Sequence, residues 1–368
     1  DSYNVAIQQI VEIARAIQRQ ARVVILDEPT SAIGEHETER LFNCLNLLKE
    51  QGLGIIYVSH KLDEVFAISD RITVLKDGKL VGTVKTAETN ADKIVHMMVG
   101  REVDRLFPDR DGGRREPVLE VKNLSGQGYH DVSFTLYSGE ILCLFGLTGS
   151  GRTDLAQGIF GSEPAASGEI LVHGKPVKID HPSKAMELGI AYIPEDRKRD
   201  GLFLEKSLRD NIAVTCLRSL SSFVFLNSAK ITAQARDSIS KLQIRTSGLD
   251  QHVSRLSGGN QQKVLFAKWL ARNPKILIAD EPTRGIDVGA KAEVHALLRK
   301  LANDGAAVLM ISSELPEILG MNDRTVVMRE GRVAGTLDHT QATQDEIAGL
   351  ALGKLDTTMP PEMEKKYE

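Results

Sequence analysis

Cysteine is nearly absent: the 368 residues hold three, Cys44, Cys143 and Cys216, too far apart for a CxxC or any metal-ligand spacing. That excludes a disulfide framework and gives metal or redox chemistry at cysteine no basis. No apolar run approaches the roughly 18 residues that span a bilayer, and no charged-then-apolar leader opens the chain. Membrane association is therefore expected to come through a partner. Basic residues are not in excess either: the formal net charge is −4, so nothing marks a phosphate-backbone binder, and nucleic acid is not an expected partner. What is present is an ordinary globular composition, 42% hydrophobic and 26% charged, at a length that suits about two domains.

The chain opens with Asp1, and DSYNVAIQQIVEIARAI already has helical spacing at Ile10, Ile13, Ala14 and Ile17. It is expected to begin inside a domain. An internal repeat organises the rest: IQQIVEIARAIQRQARVVILDEPTSAIGEHE recurs as NQQKVLFAKWLARNPKILIADEPTRGIDVGAK. Asp27 matches Asp280, an offset of 280 minus 27, or 253 residues. The same offset pairs Gln8 with Gln261, Ser59 with Ser312, Asp70 with Asp323, Gly78 with Gly331 and Gly100 with Gly353, without a gap. The second copy has about 140 residues ahead of Leu256 with no counterpart in the first.

These relations predict a partial first domain over 1–106, a linker over 107–117, a second domain over 118–353 and a tail over 354–368. The linker, FPDRDGGRREP, is charged, Gly-containing and bounded by prolines. From about Lys206 to Val253, helical spacing at Ile231, Ala235, Ile239 and Leu242 predicts a helical insert.

In the second copy GEILCLF, an apolar β-capable run, leads into GLTGSGRT (146–153) and then a helical LAQGIF. Strand, Gly-rich loop and helix follow in P-loop order. Gly146, Leu147, Thr148, Gly149, Ser150 and Gly151 would turn backbone N–H groups towards phosphate oxygens at a helix N-terminus. Thr153 would ligate Mg²⁺. Arg152 stands where a P-loop lysine is expected, a forked guanidinium in place of a compact donor. Alone, such a loop is also compatible with a mere tight strand-to-helix turn.

Its partners lie downstream. KILIADE ends a buried-strand pattern in two carboxylates, Asp280 to hold Mg²⁺ and Glu281 to polarise the attacking water; VVILDE repeats them as Asp27 and Glu28. LSGGNQQK brings Leu256, Ser257, Gly258, Gly259 and Gln261 to a helix start, an anion-binding arrangement that equally reads as a serine N-cap with flexible glycines.

Together these motifs resemble the ABC ATPases. The resemblance covers the whole chain and implies an α/β P-loop NTPase fold in tandem, each domain with a helical subdomain and with an antiparallel strand pair near VLEVK and VSFTL. In that family each ATP lies between one domain's P-loop and another's signature, so pairing of domains within or between chains is implied. His60 in YVSHKLDE matches the switch histidine, Glu195 in YIPEDRKRDGL falls on the Q-loop, and Asp287 falls on the D-loop. Tyr129 lies near the place of an adenine-stacking aromatic, although a buried strand tyrosine is the better reading.

MMVGREVDRLFP, the GxxGxGRT loop, YIPEDRKRDGL and DEPTRGIDVGAK are similar to the fused ATP-binding subunits of bacterial sugar importers. That likeness implies an integral-membrane sugar permease as partner and an extracytoplasmic sugar-binding protein indirectly. It also implies a peripheral position on the cytoplasmic face of the membrane. A nucleoside importer and a soluble tandem ABC protein are the alternatives; Arg152 and the short linker favour the sugar group.

Crosswise pairing makes the two sites unequal. One joins Asp27, Glu28 and His60, with a P-loop that this sequence does not contain, to the LSGGNQQ of copy two; it is expected to be the competent site, and this chain by itself to be weakly active. The other joins GLTGSGRT, Asp280 and Glu281 to YNVAIQQ, where Asn4, Val5 and Ala6 replace Ser257, Gly258 and Gly259, and where Ser313 stands opposite His60. Losing a preorganised contact costs about 10²–10³ in rate, so this second site is expected to bind more than it cleaves.

Overall fold

The computed structural model describes residues 15, 21–30, 35–59, 61–76, 78–99, 107–110, 113, 115–222 and 225–353. The expectations on Asn4, Val5, Ala6, Gln8, His60 and 354–368 lie outside them. The chain divides into two units, Asp1–Asp104 with Asp287–Gly289, and Arg105–Ile286 with Ala290–Glu368.

In the first unit β1 (Val23–Asp27) and β2 (Gly54–Val58) pair in parallel, with α1 (Glu35–Glu50) as the crossover. Period-two alternation buries Val24 and Leu26 against Leu41, Leu45 and Leu48 of α1. The other face carries Val23, Ile25, Ile56 and Val58, all exposed. After α2 (Leu62–Ile68), β3 (Arg71–Lys76) and β4 (Lys79–Lys85) form an antiparallel hairpin. Ile72 and Val74 of β3 pack on Ile94 of α3 (Ala91–Val99). The two strand pairs are separate sheets.

The second unit opens with β5 (Pro117–Gly126) and β6 (Tyr129–Tyr137), antiparallel, as the VLEVK and VSFTL patterns predict. Strand pairing thus begins at Pro117, which the sequence reading assigned to the linker. Next come β7 (Ile141–Gly146), α4 (Arg152–Phe160), β8 (Ser167–Val172), β9 (Lys175–Val177), α5 (Pro182–Glu187) and β10 (Ile190–Ile193). The insert holds α6 (Leu208–Ala213), α7 (Leu217–Leu220), a short hairpin of β11 (Ser221–Ser222) and β12 (Phe225–Leu226), and α8 (Ser228–Lys241). It is helical as expected, apart from the hairpin. The first unit has no counterpart of it among the described residues, so the structure bears out a helical subdomain for the second copy only.

The chain continues through α9 (Gly258–Leu270), β13 (Ile276–Asp280), α10 (Val288–Asn303), β14 (Ala307–Ile311), α11 (Leu315–Met321), β15 (Arg324–Arg329), β16 (Arg332–Asp338) and α12 (Gln344–Leu352). Six strands run in the order β10-β13-β14-β7-β15-β16, and β16 alone is antiparallel to its neighbour. Central parallel strands are buried on both faces, which is why ILCLFG and ILIAD are continuous apolar runs. A four-stranded antiparallel sheet, β6-β5-β8-β9, flanks them.

The repeat carries into three dimensions. Strands β13 and β14 pair from Ile276↔Ala307 to Asp280↔Ile311, the register of β1 and β2 moved by the same offset. Even the register shift at Val74/Leu75 in the first hairpin recurs at Val327/Met328 in the second.

Linker residues are held by the second unit. Phe107 packs on its core and Arg110 lies 3.6 Å from Asp323, while the Arg115 amide donates to Ser138.

Candidate nucleotide-binding site

Strand β7 delivers the chain to Gly146, and α4 begins at Arg152; the Gly-rich loop is the turn between them. Gly149 and Gly151 have φ of 81° and 86°, the left-handed region where a side chain is strained. At Gly151 the need is doubled, because a Cβ would fall 2.1 Å from the Gly128 carbonyl oxygen. The loop is buttressed there: the Gly331 amide donates to the Ser150 carbonyl and the His130 amide to the Gly331 carbonyl. Leu147, Thr148 and Gly149 are exposed, and Ser150 is buried with its Oγ unpartnered. A left-handed glycine turn at a helix start, with an unpartnered hydroxyl behind it, suits phosphate.

Both carboxylates expected beside the loop are there. Asp280, fully buried at the end of β13, accepts from the Tyr192 hydroxyl at 3.2 Å and bonds to the Thr153 hydroxyl. Burial lifts its pKa to about 6, against the pull of Thr153, Tyr192 and Arg152. Its Oδ1 has no protein partner, although it is buried. Such an orphaned hard oxygen next to a threonine hydroxyl fits Mg²⁺, which takes few protein ligands and completes its shell with phosphate and water.

Glu281 follows in the left-handed region at φ 45°, its amide donating to the Ile311 carbonyl. Burial raises its carboxyl to about 7, opposed by Arg152 and by a bond from Ser313, which occupies the switch position of this copy. Arg152 does not reach over the loop. Its Nη1 donates to the Ser312 carbonyl at 2.8 Å and stands 3.8 Å from Glu281.

In the first copy Glu28 repeats this backbone at φ 48°, with its amide on the Val58 carbonyl. Asp27, unlike Asp280, is exposed.

A cleft of about 390 Å³ opens beside Thr153, with Tyr192, Glu195, Arg197 and Arg284 in its lining. Glu195 pairs with Arg284. Arg197 donates to the carbonyls of Arg284 and Gly285 at 2.6 and 2.9 Å. Gly258 leaves room for that guanidinium, since a Cβ would sit 3.0 Å from it. The 195–197 segment, the TRG turn and the turn at Gly258 therefore meet at Arg197.

Ser257 caps α9 through the Asn260 amide and is exposed. Leu256 and Gly259 are buried, and Gln261 points inward to the Val253 and Leu256 carbonyls at 3.2 Å each. Of the signature residues named from sequence, Ser257 and Gly258 form the face and Leu256, Gly259 and Gln261 the support. Tyr129 is the buried strand tyrosine, 1% exposed, and not a free stacking surface.

Sequence reading missed a buried polar cluster behind the site. Glu317 accepts from the Thr283 hydroxyl at 2.7 and 2.8 Å and from the Ser312 hydroxyl at 2.9 Å, with His295 at 3.4 Å and Lys291 at 3.5 Å. Burial alone would raise this carboxyl, but His295, Lys291 and Thr283 outweigh it and hold it at about 2. The first copy has the same device: Glu64 accepts from Thr30 at 2.6 Å, Tyr57 at 2.8 Å and Ser59 at 3.4 Å, with Lys61 at 3.0 Å. The offset pairing of Thr30 with Thr283 and Glu64 with Glu317 was the available signal.

A doubly covered parallel sheet with a Gly-rich loop, paired carboxylates and a serine-glycine signature defines an ATP-binding cassette of the ABC type. The ABC transporter family model matches residues 129–284. The chain is 48% identical over 349 residues to a ribose import ATP-binding protein, RbsA 2, of Rhizobium meliloti, covering 94% of this chain and 68% of that protein. It is also 48% identical to the ribose import ATP-binding protein RbsA of Geobacillus kaustophilus, covering 94% and 70%. A putative ribose/galactose/methyl galactoside import ATP-binding protein of Hahella chejuensis shares 48% over 95% and 68%. The chain belongs to this family of bacterial import ATP-binding proteins.

Among solved structures, a nucleotide-free ATP-binding cassette from an ABC transporter aligns with TM-score 0.55 at 20% identity, over 64% of this chain and 95% of that one. An ADP-bound cassette aligns equally well at 21% identity, over 65% and 100%. These two likenesses establish the fold.

Proposed function

We propose that the chain is the ATP-binding and ATP-hydrolysing subunit that energises uptake of a monosaccharide or related sugar through an ABC permease. The observation that carries this is the Gly146–Thr153 loop facing buried Asp280 and Glu281, in a chain whose relatives at 48% identity are sugar import ATP-binding proteins. No helix among the described residues is long and apolar enough to cross a membrane. The chain would act from the membrane surface, on its cytoplasmic face, against an integral permease that receives sugar from an extracytoplasmic binding protein.

In this reading residues 1–106 are the C-terminal part of one nucleotide-binding domain and 118–353 a second domain, and each ATP is held between the P-loop of one domain and the signature of another. Loop amides of 146–151 hold the phosphates, Glu195 senses the γ-phosphate end, and Leu256 to Gln261 present Ser257 and Gly258 to a partner domain's nucleotide. Thr153 and Asp280 would hold Mg²⁺ at this site, and Asp27 at the other. Bound there, the ion neutralises charge on the phosphate oxygens.

Glu28 with His60 forms the competent base and switch pair. At the second site Glu281 is the base by position, but Arg152 and Ser313 hold it. Ser313 replaces the switch histidine there, and the signature opposite it reads Asn4, Val5 and Ala6 in place of serine and two glycines, so this site retains ATP more than it cleaves it.

Two measurements test the reading. The tagged protein, purified from detergent-solubilised membranes of the cell that makes it, should bring an integral membrane permease with it. In the full-length protein, sugar uptake should be lost in Glu28→Gln, by roughly 10²-fold or more, and largely kept in Glu281→Gln. The reverse pattern would sink the assignment of sites, and absence of a permease would sink the transport role.

A further inference from the structure

The two copies stabilise the same carboxylate differently. In the first, Tyr57 on β2 donates to Glu64, and Phe42 on α1 sets its ring edge against Tyr57 at 6.0 Å. At the matching positions of the second copy stand Met310 and His295. The partner of Glu317 has moved from strand to helix: His295 Nε2, on α10, lies 3.4 Å from Glu317 Oε1.

A second contact lies on the imidazole of His295. Phe107, from the linker, lies on the imidazole with ring centroids 5.1 Å apart. Gly320 makes the space, since a Cβ there would fall 2.2 Å from the Phe107 ring; the first copy has Ala67 at this position.

The line of contacts leads on to the nucleotide site. Glu317 holds Thr283, two residues after Glu281, and Ser312, whose carbonyl takes Arg152 and whose neighbour Ser313 bonds to Glu281. Thr283 and Ser312 thus fix both segments that flank the carboxylate of Glu281. This turn carries a left-handed residue that persists only where its surroundings over-determine it.

We propose that Phe107, seated on His295, and the buried His295–Glu317 pair are positioning residues of the second nucleotide site, so that docking of the interdomain linker sets that site's affinity for Mg²⁺-ATP. This rests on the loop 146–153 being a nucleotide site. None of the three touches the nucleotide; they act through Thr283 and Ser312.

The test is equilibrium binding of fluorescent mant-ATP with Mg²⁺ to the whole chain, with melting temperature measured alongside. Phe107→Ala should weaken binding by roughly three- to thirtyfold with little change in melting temperature. His295→Phe should weaken it similarly, and His295→Phe with Met310→Tyr, which rebuilds the first copy's tyrosine donor, should recover most of that loss. Adding Phe107→Ala to His295→Phe should cost little more, because the route is already cut.

Unchanged binding in Phe107→Ala would overturn the proposal, as would fully additive losses or a loss that merely follows melting temperature. If His295→Phe alone fails to fold, the Phe107 and Met310 variants still decide. A wild-type chain that binds no mant-ATP would overturn the nucleotide-site reading as well, whereas normal wild-type binding with no effect in Phe107→Ala would overturn this proposal alone.

Discussion

At Asp280 and Glu281 the fold holds two carboxyls that burial drives towards neutrality, while at Glu317, one layer behind, hydrogen-bond donors and charge drive a third the other way. The difference is what surrounds each. A carboxylate with one orphaned oxygen awaits a cation, and one with every lone pair used is a fixture. Glu317 therefore has a pH signature. Its folded pKa of about 2 is below the ordinary 4.5, so it contributes stability that is full above about 4.5 and lost as pH falls through about 2. The shift corresponds to about 3 kcal/mol. Urea unfolding should find Glu317→Gln less stable by about that amount from pH 8 to 5, with the gap closing on further acidification; a gap that stayed constant to pH 3 would contradict this cause. The sequence made the Gly-rich loop and both DE pairs legible, because glycine and acid at fixed spacing have few other uses. It did not reveal the Glu317 cluster, because the donor changed element between copies, Tyr57 giving way to His295, and an offset comparison reads that as two unrelated differences.

Among elements, β7 and α4 depend on a turn that only glycine permits. Gly151→Ala puts a methyl against the Gly128 carbonyl in a left-handed backbone. It should cost about 2 kcal/mol or more of unfolding free energy and remove nucleotide binding, measured by urea denaturation and mant-ATP titration. Gly320→Ala is gentler: α11 should stay helical, but Phe107 is displaced, and mant-ATP affinity should fall to the level of Phe107→Ala. The elements were read from pattern where burial is one-sided or complete, as in VSFTL and ILIAD. The hairpin at 221–226 and the docking of Phe107 were not legible, since a two-residue strand has no period and a linker's partner lies nearly 190 residues away at His295.

For the whole molecule the decisive element is β7. It lies between β14 and β15, so one sheet carries the loop, the carboxylates and the switch strand together. In the first unit the matching pairs, β1-β2 and β3-β4, stand as separate sheets, and the face bearing Val23, Ile25, Ile56 and Val58 is bare. The repeat in sequence thus becomes a repeat in pairing register with unequal surroundings, and the central claim is functional inequality: the Gly146–Thr153 site holds ATP and scarcely cleaves it. Incubating the chain with Mg²⁺ and γ-labelled ATP, isolating the complex and quenching it in acid tests this most directly. The account predicts bound label that depends on Mg²⁺, falls in Thr153→Ala and is recovered chiefly as intact ATP. Binding indifferent to Thr153→Ala, or label released rapidly as phosphate from this site, would contradict it.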